Sequence, residues 1–177
     1  MEKYIGVKQV LLQPMNRAEY NFYRGWELPA DEDGADEGYL VEYLDSPNSN
    51  HPDHKGYISW SPKAQADNAY RRINDPAVNH NDADGNPAGG SVTGVGFGII
   101  WQNGPLGRGK DRKEPNGAFV ETVIAAVIQR IQYYQNSKFK CRENALAITK
   151  LEEALHWLNS RTARREVQDV EGTHEGS

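Results

Sequence analysis

The C-terminal half of the chain repeats its hydrophobic residues at helical spacing. Between residues 117 and 135 one apolar stripe recurs every three or four positions, which is the period of an amphipathic helix. It consists of Val120, Ile124, Val127, Ile131 and Tyr134. Asn116 stands just before this segment and is expected to be the N-cap of the helix, because its side chain can accept a hydrogen bond from a free backbone N–H.

A second segment with the same period follows the short sequence NSKFK. Its inner stripe consists of Ile148, Leu151, Leu155, Leu158 and Thr162. The two segments predict an αα-hairpin over residues 116–165. Since the first helix also carries apolar residues off its stripe, we expect it to be buried between neighbours in a multimeric helical bundle.

The N-terminal half has the pattern of short strands instead. β-branched or alternating runs occupy residues 4–12, 23–28, 39–44, 57–61 and 95–102. Pro62 is placed to open a short helix. Segment 74–94 has few large apolar residues, so we expect a flexible insertion there.

These elements predict an α+β fold, in which a small antiparallel β-sheet region is followed by the long αα-hairpin. The expected divisions are a β-rich region over residues 1–103, a loop over 104–115, the hairpin over 116–165 and a polar tail over 166–177.

Composition narrows the function classes. The 177 residues carry a net charge of -5, which argues against binding a nucleic acid polymer. No run approaches 18 apolar residues and the first residues do not resemble a signal peptide, so we expect a cytoplasmic protein without a membrane partner. With Cys141 as the single cysteine, a disulfide framework within the chain is excluded, and we expect neither a metal nor a cofactor.

The sequence Gly104–Lys110 fits the first seven positions of the phosphate-binding pattern G-x-x-x-x-G-K-[ST]. Asp111 takes the place of the hydroxyl residue that would bind magnesium. Pro115 stands where the helix that normally follows the glycine loop should run. The pattern therefore argues against a true nucleotide triphosphate site, although a hydrolase that uses this loop stays an alternative.

The individual residues of the hairpin, and not only their periodicity, resemble those of a known family. The stretch RENALAITKLEEALHWLNSRT, with VEGT after it, resembles the helical hairpin of phage anti-defence sponges. These include Thoeris anti-defence protein one and anti-CBASS protein two. The upstream sequences YIGVKQVLLQPMNRAEYNFYRGWELPADE and GYISWSPK also resemble the N-terminal region of the Thoeris branch.

The resemblance implies a non-enzymatic phage protein that acts in the cytoplasm of the infected bacterial host. Such proteins bind cyclic nucleotide signals of bacterial immunity and sequester them. The signals are cyclic ADP-ribose isomers in Thoeris systems and cyclic dinucleotides or trinucleotides in CBASS systems. The resemblance also implies a homo-oligomer, with a hexamer as the expected state and sites at the interfaces between chains.

Two sets of ligand contacts follow from the resemblance. For a ligand of the cyclic ADP-ribose type, the expected contacts are Trp101, Asn116, Arg130 and Arg24. For a cyclic oligonucleotide, they are Arg142, Arg161, Gly172 and Thr173. A structural oligomerising phage protein without a ligand is the remaining alternative.

Overall fold

The computed structural model describes residues 1–2, 6, 8–73, 75 and 77–176, and it has the predicted α+β class. The elements are β1 (Val10–Pro14), α1 (Arg17–Arg24), β2 (Gly38–Tyr43), β3 (Tyr57–Pro62), α2 (Lys63–Ala69), β4 (Val78–Asn81), β5 (Pro87–Gly94), β6 (Phe97–Trp101), α3 (Val120–Gln135) and α4 (Arg142–Val167). The chain divides into two compact units, one of residues 1–75 and 93–98 and one of residues 76–92 and 99–177.

The first unit is built on an antiparallel sheet in the order β1-β2-β3. Alternating apolar residues place Tyr20, Leu40 and Ile58 in its core, all at most 3% exposed. Trp60 packs against this core, and its indole N–H donates to the carbonyl of Met15 at 2.9 Å. The strands predicted at 39–44 and 57–61 and the helix after Pro62 are confirmed. The prediction at 4–12 falls partly on residues outside those described.

The strand predicted over residues 23–28 is wrong, because α1 ends inside it. A capping box starts this helix: the Asn16 side chain accepts from the Glu19 N–H at 2.8 Å, and the Glu19 carboxylate accepts from the Asn16 N–H at 2.8 Å. Gly25 closes the helix at a φ of 68°, a left-handed conformation that glycine adopts without strain. These local cap signals prevail over the strand propensity of the aromatic residues.

A buried carboxylate joins three parts of the first unit. Glu42 lies on β2, and its side chain accepts from Gly56 N–H at 3.0 Å and from Lys55 N–H at 3.0 Å. His54 Nδ1 lies 2.8 Å from the same carboxylate, and His54 Nε2 lies 2.9 Å from the hydroxyl of Tyr23. The hydrogen bond from His54, followed by that from Gly56, lowers the pKa of Glu42. The network stabilises the loop between β2 and β3.

The segment 74–94, expected to be an irregular insertion, instead forms β4 and β5, although residues 74 and 76 lie outside those described. Its polar residues build the turn between these strands. The Asp82 carboxylate accepts from the backbone N–H of Asp84 and of Asn86, both at 2.9 Å. Gly90 has a φ of 137°, and a Cβ there would collide with the carbonyl of Val78 on the neighbouring strand. Small and polar residues thus serve the pairing of this sheet, whose order is β4-β5-β6.

The helical hairpin of the second unit is confirmed, and α3 packs along α4. All five residues of the predicted stripe on α4 are half-buried. On α3 the inward face is rotated from the prediction. Ile128, expected off the stripe, is the buried residue of this helix, whereas Val120, Val127 and Tyr134 are exposed. A helix that is apolar on several faces does not reveal from its period which face its partner covers.

Candidate functional site

The strand β6 and the start of α3 meet at the base of the hairpin, which we define as residues 101–121 and 161–174. Trp101 forms a parallel bridge with Ala118. The Gln102 N–H donates to the Ala118 carbonyl at 3.0 Å, and the Ala118 N–H donates to the Ile100 carbonyl at 2.7 Å. This approach needs a residue without a side chain at position 117, since a Cβ on Gly117 would lie 2.5 Å from the Trp101 carbonyl. Backbone contacts therefore hold the two ends of loop 102–117 together.

Asn116 is not the N-cap of α3, in contrast to the prediction. The helix begins at Val120, and its N-cap, Phe119, offers no side-chain hydrogen bond. The Asn116 side-chain oxygen instead accepts from the Asn103 N–H at 2.8 Å, and its backbone N–H donates to the Gln102 side chain at 2.9 Å. Asn116 thus closes the loop and holds its two ends beside Trp101. The structure thus places Trp101 and Asn116 at the two ends of one closed loop, and their contact with a ligand stays a prediction.

Loop 104–113 does not have the geometry of a phosphate-binding P-loop. The glycines are followed by the short 3-10 turn Gly109–Asp111, and the next α-helix begins only at Val120, so the loop does not pass directly into a helix as a P-loop does. Gly104, Gly107 and Gly109 all have positive φ. The Gly107 N–H, which would face a phosphate in that motif, donates to the carbonyl of Gly172 at 3.0 Å. The alternative of a hydrolase built on this loop therefore loses its structural support.

Two basic side chains of the loop, Arg108 and Arg112, pair with the tail that follows α4. Arg108 pairs with both the carboxylate and the carbonyl of Asp169. Arg112 pairs with the Glu171 carboxylate at 2.9 Å, and this hydrogen bond raises the pKa of Arg112. The loop is thereby fixed to the tail that follows α4.

Arg161, Gly172 and Thr173 all lie in the base of the hairpin. Arg161 donates to the Glu121 carboxylate in the first turn of α3 at 3.0 Å. Gly172 has a φ of 77°, and a Cβ there would collide with the Gly107 carbonyl. The Thr173 hydroxyl donates to the Val170 carbonyl at 2.8 Å. These three residues are thus placed by the hairpin end and by the folded tail.

Arg130 and Arg142 lie elsewhere on the hairpin. At 1.5 Å per residue, Arg130 is about 15 Å along α3 from Val120, and Arg142 is about 28 Å along α4 from Arg161. One chain therefore presents Arg130 and Asn116, and likewise Arg142 and Arg161, at separate points along the hairpin. The resemblance grouped them at sites between chains, and that grouping stays a prediction.

Arg130 has no carboxylate partner among the described residues. Its guanidinium lies 4.6 Å from the ring centre of Tyr134 and 5.2 Å from that of Tyr133, and its Nε donates to the Tyr134 hydroxyl at 3.0 Å. A shallow depression lined by Ala126, Gln129, Arg130 and Tyr133 surrounds it. A cation presented on aromatic rings in an open depression can bind an anion.

Arg24 belongs to the first unit, whereas the other expected contacts belong to the second. Its guanidinium lies 4.3 Å from the Trp26 ring centre, and its Nη1 is buried without a hydrogen-bond partner among the described residues.

The comparisons with known proteins concern this same hairpin. The family model of the Acb2/Tad1 hairpin domain matches residues 98–163. Residues 98–163 are thus similar to the hairpin domain of that family. It is also 70% identical over 60 residues to Thoeris anti-defense 1 of Bacillus phage SBSphiJ7. That match covers 34% of this chain and 42% of the relative, so it spans less than half of the relative's length. The expected resemblance to the anti-defence family is confirmed for the hairpin domain.

The matched region includes five of the expected contacts, which are Trp101, Asn116, Arg130, Arg142 and Arg161. Arg24, Gly172 and Thr173 lie outside the matched residues. The hairpin domain thus contains the loop closure at Trp101 and Asn116, and the tail residues join its base through contacts that this chain itself provides.

Sequence reasoning missed the residues that fold the tail, above all Arg165, Asp169 and Glu171. The sequence offers one hint of these contacts, which is that the loop is basic and the tail is acidic. This hint does not show which residues pair across about 60 positions. Cys141 proves to be the N-cap of α4, with its sulfur accepting from the Asn144 N–H at 3.4 Å. In the described part of the chain, no group of three or more His, Cys, Asp and Glu residues is arranged to hold a metal ion. Among these same residues, no helix has the length and apolar character needed to cross a membrane.

Proposed function

We propose that this chain is a phage anti-defence protein that binds cyclic nucleotide signals and sequesters them without cleaving them. The observation that carries the proposal is the coincidence of the Acb2/Tad1 hairpin domain with the closed loop at Trp101 and Asn116. The family match and the loop closure are independent observations on the same residues. The protein is proposed to act in the cytoplasm of the infected bacterium.

The chemistry of the base of the hairpin suits a nucleotide. Trp101 ends a strand and offers a flat ring on which a base can stack, a contact worth about 1–3 kcal/mol. Asn116 brings an amide beside it, and Arg161 brings a guanidinium, the group that recognises phosphate with two hydrogen bonds. A sequestering protein needs an enclosed site and slow release, and it needs no catalytic group.

The proposed sites are shared between copies of the chain. Within one chain Arg130 lies about 15 Å along α3 from Val120, so in a site between chains the guanidinium of a second copy would face a ligand held at Asn116. The hairpin also exposes an unusual amount of apolar surface, on Val120, Val127, Tyr133, Phe139, Leu146 and Trp157. Exposed apolar area of this kind marks an association surface. A homo-oligomer, with a hexamer as the expected state, would cover it.

Native mass spectrometry with a panel of ligands tests the proposal. The panel contains cyclic ADP-ribose isomers and cyclic dinucleotides and trinucleotides. We expect a multimer that carries intact ligand, and heat denaturation should release a molecule of unchanged mass. A cleaved product would instead establish an enzyme. Absence of binding by the whole panel would leave a structural oligomerising protein.

Trp101→Ala tests the stacking role. We expect the affinity for a cyclic ADP-ribose isomer to fall about 5- to 150-fold, which corresponds to losing about 1–3 kcal/mol of stacking. Trp101→Phe should retain part of the affinity because it keeps a flat ring. Phe22→Ala is the matched control, since Phe22 is an exposed aromatic residue of the first unit. An unchanged affinity in Trp101→Ala, measured by isothermal titration calorimetry, would exclude this residue from the site.

Val127→Glu tests the association surface. Val127 is 42% exposed on α3, so a charge there costs little in the isolated chain but is buried in a multimer. We expect light scattering after size exclusion to report a smaller assembly. Gln132→Glu introduces the same charge at an exposed polar position of the same helix and should leave the assembly intact. If both variants keep the mass of the parent protein, this face is not the interface.

A further inference from the structure

The tail after α4 is folded around one guanidinium. Arg165 donates from Nη2 to the carbonyls of Val170 at 2.9 Å and Thr173 at 3.1 Å, and from Nη1 to the carbonyl of Glu175 at 2.7 Å. Its donors thus join carbonyls five, eight and ten residues farther along the chain. A planar group with fixed donor directions restricts the tail to one curled shape.

The loop before α3 holds the same tail from outside. Arg108 pairs with Asp169, and Arg112 pairs with Glu171. Asp169 has a φ of 63°, a conformation that residues other than glycine rarely adopt. The two ion pairs therefore fix a strained stretch of backbone.

Backbone hydrogen bonds and a buried apolar residue also stabilise the contact between the loop and the tail. The Gly107 N–H donates to the Gly172 carbonyl at 3.0 Å, and the Lys113 N–H donates to the Leu106 carbonyl at 2.6 Å. Leu106 is 8% exposed, which makes it one of the buried apolar residues of the chain. The loop is thus a folded element with its own anchor, able to hold the tail in place. We name residues 104–113 and 169–175 together the loop–tail strap.

In the tail part of the strap, two backbone donors are free. Among the described residues, the N–H groups of Gly172 and His174 have no hydrogen-bond acceptor. They flank Thr173, whose side chain is fixed on the Val170 carbonyl. Free N–H groups beside a glycine of positive φ form the concave donor surface that proteins use to bind anions.

We propose that Arg108, Arg112 and Arg165 are positioning residues, which hold the tail so that the free backbone N–H groups of Gly172 and His174, on either side of Thr173, face a phosphate group. Their own charges are used by tail carboxylates and carbonyls, so they act through the tail and not as direct phosphate contacts. The ligand role of this tail segment rests on the proposed function. The shape of the tail in the free protein does not rest on it.

Exchanging the two charges of the Arg112–Glu171 ion pair distinguishes a positioning role of Arg112 from its direct contact with the ligand. The variants are Arg112→Glu, Glu171→Arg and the two together, in the full chain. Lys110→Glu is the matched control, because it makes the same charge change in the same loop and its side chain has no partner among the described residues. Hydrogen exchange measures the protection of tail amides, and calorimetry measures the affinity for cyclic triadenylate.

We expect Arg112→Glu to lose tail protection and to lose affinity by about tenfold or more, since a displacement of ~1 Å removes most of what a contacting group contributes. The double exchange should restore both values to within about threefold, the usual limit for compensating changes. Lys110→Glu should keep tail protection and stay within about threefold of the parent affinity.

Restored protection without restored affinity would overturn the proposal, because Arg112 would then contact the ligand itself. Equal losses in Lys110→Glu and Arg112→Glu would also overturn it, since loop charge alone would explain the effect. If the parent protein binds no cyclic triadenylate, the proposed oligonucleotide binding fails. In that case hydrogen exchange still tests whether the ion pair holds the tail. Loss of tail protection in Arg112→Glu, with recovery in the double exchange, supports this role. Unchanged tail protection in Arg112→Glu refutes it.

Discussion

Replacing Gly117 by alanine adds one methyl group at the tightest point of the loop closure. The new Cβ would lie 2.5 Å from the carbonyl carbon and oxygen of Trp101, and 2.6 Å from the backbone nitrogen of Gln102. All three are backbone atoms, so no side chain can rotate away. The bridge between Trp101 and Ala118 must open, or the start of α3 must move.

The expected cost follows from this geometry. Forcing an extra methyl group into a packed site costs about 1–3 kcal/mol. The glycine itself has no positive φ, so backbone strain adds nothing to this value. The folding equilibrium should therefore fall about 5- to 150-fold. The affinity for a ligand held between Trp101 and Asn116 should fall as well, because their spacing changes.

Urea unfolding followed by far-UV circular dichroism measures the stability, since α3 and α4 are the long helices of the described chain. Gly98→Ala is the matched control. Gly98 lies in β6, and a Cβ there would meet only a methyl group of Thr93 at 3.9 Å. That variant should be neutral or more stable by up to about 1 kcal/mol, because alanine loses less entropy than glycine on folding. Equal stabilities of Gly117→Ala and the parent protein would refute the close approach of these two backbone segments.

Two further predictions concern charged side chains. Because hydrogen bonds lower the pKa of Glu42 in the folded protein, its contribution to stability is present above the ordinary glutamate pKa of about 4.3 and is lost as the pH falls through the folded value. Glu42→Gln should thus lose less stability than the parent protein between neutral and acidic pH, as followed by urea unfolding and tryptophan fluorescence, and identical pH profiles would exclude this role. Arg161→Ala should cost less than about 1 kcal/mol of stability, since the Arg161 side chain is 58% exposed, while calorimetry should detect weaker binding of a cyclic oligonucleotide. A large loss of stability with unchanged affinity would make Arg161 a purely structural residue.

Much of the fold follows from local patterns. The helix α4, the hairpin β2–β3 and the short helix after Pro62 were predictable because each carries its own periodicity or cap. The prediction failed at α1, where the capping box of Asn16 and Glu19 outweighs the aromatic residues that follow. It also failed at 74–94, where small residues suit a close strand pairing and give no hydrophobic period. The prediction of which face of α3 points inward was wrong because several faces of this helix are apolar.

The candidate site divides in the same way. The closeness of Trp101 and Asn116 could be expected from their positions at the two ends of one loop. The role of Asn116 in closing that loop could not be expected, because its hydrogen-bond partners, Gln102 and Asn103, are brought to it only by the folding of the loop. The expected grouping of Arg142 with Arg161 stays a prediction about an interface between chains, because the two residues lie about 28 Å apart along α4 of one chain.

Local patterns of the sequence were enough to predict the α+β class, the helical hairpin and the resemblance of that hairpin to the anti-defence family, because a hydrophobic period and a run of matching residues are local properties of the chain. How the glycine-rich loop is used depends instead on tertiary contacts. Its pattern resembled a phosphate loop, yet Arg108 and Arg112 bind the tail and Gly107 donates to Gly172. The partners lie about 60 residues apart, and charge complementarity at that distance becomes a contact only once α3 and α4 bring the two segments to the same end of the hairpin.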